Sequence, residues 1–514
     1  MANASGRHLY IALVGGQTAP TLLGLLREGR RSVANPQQPH YPSDVHLIHT
    51  RGSASELSTL MAALPQAGQK RLAGRATGSS GSADPRLDLG AHHCAVSTSE
   101  VDRDIPEETA EAVRRAIGGF AAERVTIDIT GATKLMSAGA YLVALDLVER
   151  SPERAEILYV VSERHQYRLY HRGKTDACQQ AIAGTHWCII PFPAAFPELR
   201  LPSLAAAYGY TLAERLPASA RQAARRTRLS ASSLGALQTV YREQLRDQST
   251  ERIRLAGSMI AAPERFSTAR ELRRRVLSAK WGQRALTGYS STKTSVQAFL
   301  AELEAAGLLT QRPDGYVAEC PNTSNADQIE AVARFWEGTW LEDALFATLQ
   351  ELQQEDVDLI TDIERNKDIQ RAQGTGHPSP PPGAAAAGAT ISEVDVALLL
   401  SCHLVFFECK DWNLHPQAAA GGDELYKVKE MRDALIKVDS HRRRLGGFYS
   451  VAYLVVAQSM HREACEPCEL IREECTRLEV RILEAEPQAH KEPLKERLRR
   501  ELVELRTNGR IRTA

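Results

Sequence analysis

Apolar strands alternate with helix-length stretches through the first third of the chain, and that alternation restricts the fold more than any other feature. "LYIALV" (Leu9–Val14), "DVHLIHT" (Asp44–Thr50), "RVTIDIT" (Arg124–Thr130) and "AEILYVV" (Ala155–Val161) read as strands, with a further one near "HHCAVST". Runs this uniformly apolar suit strands covered on both faces, as in a parallel sheet. Parallel neighbours need crossovers, and "TLLGLLREG", "ELSTLMAAL", "PEETAEAVRRAIGGFA" and "LMSAGAYLVALDLVE" have the length and pattern of helices that supply them. The acids opening the third of these suit the positive end of a helix dipole. The prediction is a Rossmann-like, doubly wound parallel sheet over residues 1–175.

Residues 200–322 read as mostly helical. "TARELRRRVLSAK", "SSTKTSVQAFLAELEAAGLL" and "TQRPDGYVAE" give helix, helix and a hairpin turning at Asp-Gly, the pattern of a winged helix-turn-helix. Residues 326–514 return to mixed strands and helices, interrupted at 368–390 by a Pro-, Gly- and Ala-rich stretch that reads as a flexible insertion. "HKEPLKERLRRELVELR" is a charged amphipathic helix near the end. A chain of 514 residues accommodates about three domains of roughly 150 residues each.

Lysine plus arginine (63) equals aspartate plus glutamate (63), so the chain carries no global basic field. Nucleic-acid contact therefore has to be local, as at Arg270–Arg275 or along Lys437–Arg444, both of which read first as solvated helix faces. Nine scattered cysteines and a start without a signal-like apolar core lead to the expectation of a reducing, cytoplasmic setting. The longest apolar run, "VALLLSCHLVFF", is too short to cross a bilayer, so no membrane span is expected. "CEPC" (Cys465–Cys468) with Cys475 lacks a second ligand pair at zinc spacing and reads as a solvent-facing helix segment. His92 and His93 read as part of a strand with one wet face.

Two apolar strands near the C-terminus carry acids on the side they should bury. "SEVDVALLL" (Ser392–Leu400) contains Asp395, and "LVFFECKDW" (Leu404–Trp412) contains Glu408 and Lys410, which the period of two places on one face. If Ser401 and Cys402 form the turn, Asp395 lies opposite Glu408, about 5 Å away at Cβ. Two carboxylates that close repel unless one is protonated or a cation lies between them. Their oxygens suit Mg²⁺ or Mn²⁺, and Lys410 is placed to orient or help deprotonate a water and to offset charge on a phosphate. Ser-Cys is not a favoured hairpin pair, and a wider turn would shift this register.

The N-terminal strands end in polar loops of small residues, "GGQTAP", "TRGSAS" and "DITGATK". Ligands of open parallel sheets bind beyond the carboxyl ends of the strands. The third loop opens a helix at Lys134, so free backbone N–H groups and a cation face one place, which suits phosphate. Neither the dinucleotide glycine fingerprint nor a P-loop is present, which removes ordinary dinucleotide binding and P-loop hydrolysis from the leading readings.

The acidic strands, in the order D-x(n)-E-x-K, resemble the PD-(D/E)xK nuclease superfamily, with valine instead of proline before Asp395. The resemblance implies a restriction-endonuclease-like α/β domain. It makes Asp395, Glu408 and Lys410 catalytic, the two acids metal ligands, and Glu342, on the helix "FWEGTWLEDALFATL", an assisting acid. It also makes "DELYKVKEMRDAL" the helix behind the strand, with Lys427 as a phosphate contact. "LVGGQTAP" with "DITGATKLMSAGA" resembles the CARF domain, the CRISPR-associated Rossmann-type sensor of cyclic oligoadenylates, with Ala132 in place of one glycine. That resemblance implies a ligand lined by Gly16, Gln17, Thr18, Thr50, Arg51, Ser53, Thr130, Gly131, Ala132, Thr133 and Lys134, and a homodimer that meets a two-fold ring with identical loops.

Together the two resemblances imply an α/β multidomain ancillary nuclease of type III CRISPR defence. It would be activated by a cyclic oligoadenylate, taken as the tetramer, and would cleave DNA or RNA phosphodiesters. Two rivals stand beside it. One is a sensor with a winged helix acting as a transcription regulator, which has no need of the acidic pair. The other is a sensor that degrades its own messenger with Lys134 or Thr133.

Overall fold

The structure is a computed structural model, and it describes residues 7–16, 18–29, 41–64, 94–161, 164–172, 180–182, 185–193, 196, 198–214, 251–278, 291–313, 315–317, 335–356, 358–371, 390–411, 423–445, 450–457, 460, 466–486 and 492–508. Gln17, His92, His93 and most of the insertion lie outside the described residues. The chain forms two compact units. One comprises Met1–Leu212 with Gln370–Ile391 and Arg506–Ile511, and the other Ala213–Ile369 with Ser392–Leu505 and Arg512–Ala514.

The first unit is built as the alternation predicts. Strands β1 (His8–Val14), β2 (Asp44–Thr50), β3 (Ala95–Val101), β4 (Arg124–Asp128) and β5 (Ala155–Val161) alternate with helices α1 (Ala19–Gly29), α2 (Ala54–Ala63), α3 (Pro106–Gly119) and α4 (Lys134–Arg150). The five strands lie parallel in the order β3-β2-β1-β4-β5. Three further strands, β6 (Gln166–Tyr170), β7 (Gln180–Ala181) and β8 (Trp187–Pro191), extend the sheet antiparallel in the order β6-β8-β7, and α5 (Leu201–Ala207) follows. Leu9, Ile11 and Leu13 of β1, with Val125, Ile127 and Ile157, pack against Ala112 and Val113 of α3 and Ala140 and Ala144 of α4. The strand order reverses between β1 and β4, so the loops after those two strands flank the crevice where such sheets take ligands. The expected fourth strand, Arg124–Thr130, stops earlier, at Asp128, because the Asp128 carboxylate turns forward to accept the Thr130 N–H at 2.9 Å.

The short strand β9 (Tyr210–Glu214) comes next in sequence. In the second unit, helices α6 (Pro263–Ser278) and α7 (Thr294–Ala305) precede a hairpin of β10 (Thr310–Arg312) and β11 (Gly315–Val317). Arg312 pairs with Gly315, so Gly315 belongs to the strand and not to the turn where the expected Asp-Gly pair put it; Asp314 lies outside the described residues. Gly315 has φ +123, a conformation glycine tolerates without strain. Helix α8 (Trp340–Glu355) leads to a sheet in which β16 (Val480–Glu484), β15 (Ser450–Val456), β14 (His403–Lys410), β13 (Thr390–Leu400) and β12 (Asp362–Arg371) lie side by side in that order. β13 and β14 are antiparallel, whereas β14, β15 and β16 are parallel and need crossovers. Helices α9 (Asp423–Leu445) and α10 (Glu466–Leu478) are those crossovers, and α11 (Leu494–Asn508) follows β16.

The structure departs from the sequence pattern at two further places. Residues 368–371 are not insertion but the end of β12, with Asp368 and Ile369 buried; only 372–389 lies outside the description. The "CEPC" helix is not solvent-facing throughout: Cys468, Ile471, Cys475 and Leu478 are buried, one stripe at helical spacing, and Cys468 is disulfide-bonded. No described helix is long and apolar enough to cross a membrane.

Candidate functional site

The acidic strands of the second unit meet as their periodicity requires. Leu400 pairs with His403, so Ser401 and Cys402 form a two-residue turn, and the pairing runs on to Val396 opposite Phe407. Ser401 has φ +56, the left-handed geometry that a tight hairpin demands and serine tolerates at a small cost. One residue further out stand Asp395 and Glu408, 3% and 1% exposed. Asp395 Oδ2 accepts the Cys409 N–H at 2.8 Å, so the acid is fastened to the backbone of the partner strand.

Two ammonium groups neutralise this pair. Lys410 Nζ lies 2.7 Å from Glu408 Oε1. Lys437 Nζ, from α9, lies 2.7 Å from Glu408 Oε2 and 3.8 Å from Asp395 Oδ1. Burial, and after it the Asp395 charge, push the Glu408 carboxyl upward, while Lys410 and Lys437 pull it back. Burial works against the Lys410 charge, but Glu408 and Asp395 outweigh it and hold the ammonium above the ordinary lysine range; Glu342 adds to the same effect. Lys437 is raised in the same way, against burial, by Asp395 and Glu408. As placed here, Lys410 supplies positive charge and does not accept a proton.

Helix α8 brings the third acid. Trp340 Nε1 donates to Asp411 Oδ2, the residue after β14, which ties the first turn of the helix to the end of the ExK strand. Glu342 follows two residues on, buried. Behind the strands, His441 stands one turn beyond Lys437, with Nε2 2.6 Å from Ser392 Oγ and its ring against Phe406. Burial and the neighbouring Lys437 hold this imidazole down at about 3, so it is neutral. The hard oxygen donors of Asp395 and Glu408, converging on one cation, fit a divalent metal such as Mg²⁺ or Mn²⁺. Lys437, read from sequence as the start of a basic helix face, is the helix lysine that meets the acids; the side chain of Lys427, the expected phosphate contact, lies outside the description.

In the first unit the three predicted loops come together at one edge of the sheet. The ends of β1 and β4 approach backbone to backbone: a Cβ on Gly15 would lie 2.1 Å from Gly131 O, and one on Gly131 would lie 2.2 Å from Leu13 O. Ser53 Oγ donates to Val14 O at 2.9 Å and accepts the Thr50 N–H at 3.0 Å, which joins the β2 loop to the end of β1. Thr18 Oγ1 donates to Ala207 O. Thr130 Oγ1 donates to Asp128 Oδ1 and accepts the Val160 N–H. Thr18, Thr50, Ser53 and Thr130 thus build the loops through protein-internal bonds.

Gly16, Arg51, Thr133 and Lys134 are exposed at the rim, with Gly131 and Ala132 half-buried. Thr133 caps α4 by accepting the Met136 N–H at 3.3 Å and donates to Arg103 O at 3.2 Å. The loop after β3 therefore joins the rim and adds the exposed Arg103, which sequence reading missed. Its signal was present: the carboxyl end of a strand in the same parallel sheet.

No protein-family model matches the chain, and no curated protein does. Solved structures do. Protein VC1899 from Vibrio cholerae superimposes with a TM-score of 0.56 at 14% identity, covering 98% of this chain and 99% of that one. Can2 from Sulfobacillus thermosulfidooxidans, solved in complex with cyclic tetra-adenylate, superimposes with a TM-score of 0.53 at 13% identity, covering 96% of each chain. The likeness is one of fold, and it runs the length of both units.

Proposed function

We propose that the chain is a nuclease that a cyclic oligoadenylate switches on, cutting DNA or RNA phosphodiesters with a divalent metal in type III CRISPR defence. The observation that carries this reading is the convergence of Asp395, Glu408 and Lys410 at one buried strand end. The likeness of fold to Can2, whose structure contains cyclic tetra-adenylate, supports the sensing half. Asp395 and Glu408 would hold the metal, which when bound supplies a Lewis acid for the phosphodiester. Lys410 places positive charge beside the reacting phosphate, and Glu342 adds a carboxylate from the helix side.

In the first unit the rim of Gly16, Arg51, Ala132, Thr133 and Lys134 would take the ring phosphates on exposed cations and the N-terminus of α4, with Gln17 as a further candidate. Leu135 and Leu142 on α4 are 46% and 65% exposed and lie on one helix face, an apolar surface that supports pairing of two copies around a two-fold ring. Switching requires the ring to bind the active form more tightly than the resting one.

The test is cleavage of plasmid, single-stranded DNA and RNA, with and without each cyclic oligoadenylate, in Mg²⁺ or Mn²⁺. Glu408→Ala is expected to abolish cutting, by at least about a hundredfold, and to leave ring binding intact. A Glu408→Ala protein that still cuts would refute the site. A wild type that binds the ring and DNA but cuts nothing would favour a transcription regulator. Consumption of the ring itself would favour a messenger-degrading enzyme.

A further inference from the structure

The place a divalent ion would take between Asp395 and Glu408 already contains a cation. Lys437 Nζ lies 2.7 Å from Glu408 Oε2, 3.0 Å from Glu408 Oε1 and 3.8 Å from Asp395 Oδ1, so three carboxylate oxygens from two strands converge on one nitrogen. Lys410, on β14 itself, takes Glu408 Oε1 at 2.7 Å. Lys437 comes from α9, outside the strand pair, and can leave without disturbing the hairpin. Its side chain is 27% exposed, so the flexible stem has a route to solvent. A metal bound to the same oxygens at about 2.1 Å cannot share them with an ammonium seated among them.

We propose that Lys437 is a resident counter-ion: it holds the acid pair together in the metal-free protein and is displaced to solvent when metal binds. The inference rests on the reading of Asp395 and Glu408 as metal ligands. It explains how two buried carboxylates stay adjacent before metal arrives, a state that would otherwise repel itself. It also predicts that the lysine lowers metal affinity by competing for the site.

The experiment is titration of the full chain with Mn²⁺ alone, by calorimetry, in wild type, Lys437→Met, Lys437→Gln and Glu408→Gln. Both Lys437 variants are expected to bind Mn²⁺ about tenfold more tightly than wild type, and to unfold at lower temperature in EDTA. In parallel, acylation of Lys437 by an amine reagent, followed by mass spectrometry, is expected to be faster with Mn²⁺ than with EDTA. Equal or weaker Mn²⁺ binding in both Lys437 variants overturns the inference. Labelling that Mn²⁺ leaves unchanged or slows overturns displacement, whatever the affinities. A wild type that binds Mn²⁺ no better than Glu408→Gln would remove the metal-site reading itself, which separates the two failures.

Discussion

Asp128 shows how much one buried carboxyl decides at the carboxyl edge of the parallel sheet. Its Oδ1 receives the N–H and hydroxyl of Thr130, and its Oδ2 receives the Tyr10 hydroxyl at 2.6 Å. Burial raises the carboxyl from 3.8 to about 6, although the bonds from Thr130 and Tyr10 pull the other way. Between those values the folded protein retains a proton that the unfolded chain has released. Folding therefore loses about 3 kcal/mol from this group as pH rises through that window. Asparagine keeps the acceptor for Thr130 and removes the charge. The Tm of Asp128→Asn relative to wild type, followed by circular dichroism, is expected to increase between pH 4 and pH 7. A difference that does not change with pH would show that burial is not what governs this carboxyl. Asp395, Glu408 and Lys410 were readable because strand period and a two-residue turn are local properties. Lys437 was not, because its pairing with Glu408 spans 29 residues and depends on how α9 lies over the strands.

Elements were legible where their pattern was uniform. β1, β2, β5 and α4 fall where the apolar runs and loops place them, whereas the last four residues of β12, 368–371, read as insertion because "DIERNKDIQR" is too polar to advertise a strand. Loop packing gives the sharper test. A Cβ at Gly15 would meet Gly131 O at 2.1 Å, but one at Gly16 would meet nothing within 4 Å. Gly15→Ala is expected to destabilise the protein by about 1–3 kcal/mol through forced separation of the two loops, and to weaken cyclic tetra-adenylate binding with it. Gly16→Ala, next door, is expected to change stability by no more than about 0.5 kcal/mol. Thermal unfolding and ring titration of the two variants compare them directly; equal effects would mean that the close approach is not what the loops depend on.

At the scale of the whole molecule, each unit has its own sheet, and the proposed ring and metal sites fall on different units. Scanning calorimetry is expected to resolve two transitions. Cyclic tetra-adenylate at a hundred times its Kd should stabilise one of them by about 2.7 kcal/mol, and Mn²⁺ should raise the other. Glu408→Gln should cancel the Mn²⁺ shift and leave the ring shift unchanged. If both ligands moved the same transition in the wild type, the placing of the proposed ring and metal sites on separate units would be wrong.

The amino-acid order by itself determined what depends on near neighbours: the parallel sheet, the loops at its carboxyl edge, and a hairpin carrying two acids and a lysine. It did so because strand and helix periods and turn lengths act over a few residues. Only the tertiary structure decided that Asp395 is fastened to the Cys409 N–H, that Arg103 joins the loop rim of the parallel sheet, and that Lys437 sits among the acids. Those contacts join residues distant in sequence, and close packing of helices on sheets, not local preference, brings them within reach.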